Sequence, residues 1–119
     1  QIMECYERLR KFVSDMDIED ENVYYDIRNM IEVKKIALPT AVYKAMMNFM
    51  DQVVEPYVFE DTTEIFSEEE AERNEKGIVE IKSEQAFQKL MGRFMEKLSE
   101  LDEKIETFAE SELKPYLER

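Results

Sequence analysis

The chain has 119 residues, enough for one domain with a buried core. Hydrophobic residues make up 44% and charged residues 38%, while two glycines and three prolines supply too few turns for an all-β fold. A net charge of −13 opposes nucleic-acid phosphate and anionic membrane surfaces, which call for clustered Lys and Arg, and the single Cys5 rules out an internal disulfide and suits a reducing, cytoplasmic setting.

Residues 2 to 16 place Ile2, Cys5, Tyr6, Leu9, Phe12, Val13 and Met16 at steps of three and four, which predicts an amphipathic first helix. An acidic turn follows, from which Asp20, Glu21 or Asn22 faces the positive end of a second helix running to about Ala37. Leu38-Pro39-Thr40 is the sharpest boundary, because proline disfavours helix before it and suits the first turn after it. The third helix, apolar over most of its circumference, is expected to end at Pro56. Between 58 and 82, Ser67-Glu68-Glu69-Glu70 has capping-box spacing and predicts a short acidic helix to Lys76, stopped by Gly77. Ile78, Val79 and Ile81 fit a short extended piece, a hydrophobic flap or a solvated loop.

Ser83 opens the last helix. Its stripe of Phe87, Leu90, Met91, Phe94, Met95, Leu98, Leu101, Ile105 and Phe108 is the longest in the chain and is expected to persist to about Lys114, ahead of Pro115. At ~1.5 Å per residue that is roughly 45 Å, against roughly 25 Å for the third helix. The overhang makes Ile105, Phe108 and Leu113 candidate interface residues, for a protein partner or for self-association. No internal repeat stands out. The expected fold is all-α: an up-down-up-down four-helix bundle with a long acidic third connection and an extended last helix. It is read as a single helical-bundle domain over residues 1–119. Because Gln1 falls inside a helical pattern, the chain also reads as a fragment, the soluble part of a larger or a membrane-tethered protein.

The charge is concentrated in two segments. Asp15, Asp17, Glu19, Asp20, Glu21 and Asp26 lie between 15 and 26 with no base among them, and residues 60–80 hold nine acids against Arg73 and Lys76. In an up-down bundle the first and third connections share one end. Glu64, Glu68, Glu69, Glu70 and Glu72 would then join the first group in one acidic interaction pole.

The chemistry of sites is bounded mainly by what the chain lacks. With no histidine, imidazole triads, His-ligated zinc and Glu-x-x-His di-iron sites are out, and one cysteine cannot build a thiolate cluster. Two isolated glycines make no phosphate-cradling loop. Residues 15–26 mimic the acid spacing of a calcium loop, but Asp20 stands where glycine is needed and Asp26 is too short for the bidentate position. No catalytic, cofactor or metal residue is therefore assigned. The expected function is a non-catalytic protein-interaction or scaffold domain, with no nucleic-acid partner and no direct membrane insertion. One alternative is an acidic inhibitor or nucleic-acid mimic acting through the pole. The other is a small-molecule sensor with an apolar pocket between the third and fourth helices, where Met46, Met50, Met91 and Met95 supply adaptable side chains.

Overall fold

The computed structural model describes residues 1–118. The chain is mostly helical, with two short strands, and divides into two compact units. Residues 1–59 and 98–118 form a helical unit; Glu60–Lys97 form a hairpin-bearing unit. Among the described residues no helix is long and apolar enough to cross a membrane.

Helix α1 (Ile2–Ser14) buries Cys5, Leu9 and Phe12, the inward members of its three-and-four spacing. It stops where Met16 turns left-handed, at φ 61°. A side chain in that conformation costs roughly 1 kcal/mol. The turn is held because the following 3-10 turn, Asp17–Glu19, drives Ile18 fully into the core. Asp20 then caps α2 (Glu21–Val33), its carboxylate accepting from the Asn22 and Val23 amides at 2.9 and 3.4 Å. Helix α2 ends at Val33, short of the expected Ala37. The amides of Ala37 and Leu38 both return to the Lys34 carbonyl at 3.0 Å, folding the segment tightly so that Leu38 enters the core. Ile36 is left 99% exposed.

The two remaining helices correct the reading of Pro56 and Pro115 as terminators. Helix α3 spans residues 40–58 as an α-helix (Thr40–Phe49), a π-turn (Met50–Val54) and a final α-turn (Glu55–Val58). Helix α4 spans residues 84–117 in the same way: Glu84–Phe108, a π-turn at Ala109–Leu113, then Lys114–Leu117. In a regular helix each proline would lose a ladder bond and press its ring on the carbonyl four residues back. Here the amide ahead of each proline bonds five residues back, Glu55 to Met50 and Lys114 to Ala109. The widened turn absorbs the proline and the helix goes on. It also rotates the fifth residue back onto the apolar face, so Leu113 is buried five places after Phe108. A repeat missing from the sequence reading accompanies this: Phe49…Pro56-Tyr57-Val58 recurs as Phe108…Pro115-Tyr116-Leu117. The rings of Phe49 and Phe108 stack at 4.4 Å and 18°.

Polar links tie the helical unit together. Glu4 of α1 pairs with Lys34 at 2.7 Å, and Arg28 of α2 pairs with Asp51 of α3 at 3.0 Å. Arg10 of α1 reaches Asp102 and Glu106 of α4 at 2.9 and 3.0 Å. Such exposed pairs contribute roughly 0–1 kcal/mol each, so they orient the helices while the apolar core holds them.

The hairpin-bearing unit adds two short strands to the mostly helical chain. Thr62–Ile65 form a 3-10 turn, and strands β1 (Ala71–Arg73) and β2 (Val79–Ile81) pair antiparallel with Ala71 opposite Ile81 and Arg73 opposite Val79. The predicted acidic helix to Lys76 is absent. The Ser67–Glu70 pairing that suggested it does form, the Ser67 amide and hydroxyl both donating to Glu70 at 3.2 Å. It closes a turn instead, because the Lys82 amide takes the Glu70 carbonyl at 2.8 Å and starts the strand pairing. Asn74 and Gly77 build the connection: the Asn74 side chain accepts from the Lys76 and Ile78 amides, and Gly77 adopts φ +78°. Ser83 caps α4 as expected, its hydroxyl accepting from the Ala86 amide at 3.1 Å.

Candidate interaction surfaces

The acidic residues singled out by the sequence fall in both units. Asp15, Glu19, Asp20, Glu21 and Asp26 are exposed in the helical unit and Asp17 is half-buried there. Asp20 is committed to its cap. Glu64, Glu68, Glu69 and Glu72 are exposed in the hairpin-bearing unit, and Glu70 is half-buried. Several acids of this second segment do internal work. Glu70 meets Lys89 at 2.8 Å, Glu72 meets Lys82 at 3.0 Å, and Asp61 meets Arg73 at 2.8 Å. The Lys89 ammonium holds the Glu70 carboxyl below its ordinary range, and the Thr63 hydroxyl does the same for Asp61.

A denser cluster joins the first residue of the hairpin-bearing unit to its helix. Glu60 accepts from Arg93 through both carboxylate oxygens, the closest approach being 2.6 Å, and the fully buried Lys97 ammonium lies 3.5 Å away. The Arg93 hydrogen bonds keep the Glu60 carboxyl below its usual value against the opposing pull of burial. Sequence spacing does not expose this cluster, since Glu60 and Arg93 lie far apart in the chain. The cluster pairs a fully buried lysine with a counter-ion.

Ile105, Phe108 and Leu113, expected as an uncovered interface, are core residues: Ile105 and Leu113 are fully buried and Phe108 is 8% exposed. The far half of α4 is flanked within its own unit by α1 and α3, through Arg10 and Phe49. The uncovered part is the near half. Phe87, Met91 and Met95 are 51%, 40% and 52% exposed. At steps of four they lie about 40° apart around the helix and make one continuous face. Their neighbours Leu90 and Phe94 point toward the unit's interior and are half-buried. The apolar arc of this segment is therefore only partly covered.

In the helical unit a groove of about 630 Å³ runs between α3 and α4 at the level of the two π-turns. Phe49, Val53, Tyr57 and Phe108 supply its apolar lining. Glu100, Glu103, Lys104 and Glu112 stand on its walls. The Lys104 ammonium sits 4.9 Å from the centre of the Tyr57 ring. The widened turns shape this groove, since Val53 belongs to one and Ser111 and Glu112 to the other. Beside it, Tyr24 is buried against Phe59, edge to face at 5.6 Å, and its hydroxyl donates to the Met50 carbonyl that opens the first π-turn. Burial pushes the Tyr24 hydroxyl up to about 12. Among the described residues no three potential metal ligands gather into a site. In comparisons with known proteins, no family model matches the chain, nor does any curated protein or solved structure.

Proposed function

We propose that this is a non-catalytic helical interaction domain that holds an amphipathic partner helix against Phe87, Met91 and Met95. The observation that carries the reading is the 40–52% exposure of these three large side chains on one helical face. Exposed apolar residues on monomeric proteins are usually scattered singly, whereas a row at i, i+4 and i+8 matches the anchor spacing of a helix laid alongside. Thioethers adapt their shape to the partner that arrives. The unit that carries the row has 11 acids and 6 bases between residues 60 and 97, a net of −5, so basic flanks on the partner complement it. The helical unit serves as the scaffold. An up-down-up-down bundle arrangement of its helices is supported by the contacts of α1 with α2 and α2 with α3, and by the stacking of Phe49 on Phe108.

A labelled 18-residue Leu/Lys amphipathic peptide, titrated with the protein and followed by fluorescence anisotropy, tests this. Saturable binding is expected, weakened about tenfold or more by the triple change Phe87→Ser, Met91→Ser and Met95→Ser. Equal binding of a peptide of the same composition without helical periodicity would mean that charge alone attracts it and would overturn the reading. A dimer that the triple variant abolishes would make the occupant a second copy of the chain.

A further inference from the structure

The groove between the two π-turns has features that the partner-helix reading does not use. Its floor is aromatic and stacked, with Phe49 and Phe108 in parallel contact and Tyr57 presenting a ring face. Its walls carry three carboxylates (Glu100, Glu103 and Glu112) and one ammonium (Lys104). Among the described residues Glu103 and Glu112 form no ion pair, while the single base is drawn to an aromatic ring instead of a carboxylate. Lys104 therefore marks where positive charge is favoured: on the Tyr57 ring, inside a ring of negative potential. It is itself exposed, on a flexible stem, so it can withdraw into solvent at little cost.

We propose that this groove binds a small organic cation with an apolar body, the charge resting on Tyr57 in place of Lys104 and the body lying over Phe49, Val53 and Phe108. A volume of about 630 Å³ suits a ligand of that kind. An anion meets three carboxylates and is repelled. A neutral apolar molecule gains burial but leaves Glu103 and Glu112 without a counter-charge, so the site discriminates by charge as well as by shape.

The test uses the full chain and three probes of similar size: phenyltrimethylammonium, tert-butylbenzene and benzoate. Amide chemical-shift mapping with phenyltrimethylammonium is expected to saturate with the perturbed residues confined to 49–57 and 100–112. Tert-butylbenzene should bind at least about fivefold more weakly, and benzoate not at all. Tyr57→Leu keeps the apolar contact but removes the ring, and should weaken phenyltrimethylammonium about fivefold or more. Lys104→Gln lies on the exposed wall and removes the resident competitor, so it should tighten the same probe about twofold or more. Equal affinity for the cationic and neutral probes, perturbed residues elsewhere in the chain, or weaker binding in Lys104→Gln would each overturn the proposal.

Discussion

Residues 84–97 and 98–117 belong to one unbroken helix with one apolar repeat, yet the two stretches meet different surroundings. In the second, Leu98, Leu101, Ile105, Phe108 and Leu113 are all buried. In the first, Ala86 alone is a buried apolar residue, and Phe87, Met91 and Met95 stand open. The difference lies in what each stretch packs against. The far stretch has α1 and α3 beside it, while the near stretch lies in a unit whose two three-residue strands bury only Ala71. A short hairpin offers little apolar area. Equal amphipathicity therefore gives a core in one place and a surface in the other, and the near unit relies on the Glu60–Arg93–Lys97 cluster for part of its order.

The contrast can be broken first at its buried end. Ile105→Ala removes a fully buried side chain and should lower unfolding stability by about 2–5 kcal/mol, read by urea denaturation. Glu60→Gln tests the near unit by removing the carboxylate charge beside Arg93 and the buried Lys97, at a cost of about 1–3 kcal/mol. Faster hydrogen exchange should be centred on residues 60–97. The same cluster gives a pH dependence. Glu60 has a lowered pKa when folded, so its contribution is complete above the ordinary carboxyl range near 4.5. It is lost as pH falls through the depressed folded value, so exchange protection of 60–97 should fade on acidification.

At the alkaline end Tyr24 acts in the opposite sense. Its hydroxyl titrates near 12 when folded against an ordinary 10, so stability should decline as pH rises from 10 to 12. Phenolate absorbance should show an ionisation step at about 12, and Tyr24→Phe should remove it. The smallest effect belongs to the open face. Met91→Ser should change stability by no more than about 0.5 kcal/mol, since an exposed side chain loses few contacts. A large loss there would mean that the near stretch is covered after all, and would remove the basis for a partner helix.

Much of this was legible in the residues. The helix starts at Asp20, Pro39 and Ser83 follow from side-chain and ring chemistry that acts within four residues, and the inward positions of α1 follow from periodicity. The hairpin was also written locally, in Asn74 and Gly77 between two short runs, but a serine–glutamate pairing competed for the same segment and spoke for helix. The groove was foreshadowed only as an apolar space between the third and fourth helices. Its aromatic stack and acidic walls depend on residues about sixty apart in the chain, such as Phe49 and Phe108.

The sequence by itself determined the helices, their caps, the placement of charge and the absence of imidazole chemistry, because each rests on local rules or on composition. Only the tertiary structure decided that the prolines of α3 and α4 are passed through π-turns, since a helix continues past proline only where packing, such as that of the buried Val58 beyond Pro56, outweighs the lost ladder bond. It also decided which half of α4 stays open. An apolar stripe states a need for cover, and whether cover arrives depends on residues that the stripe does not contain.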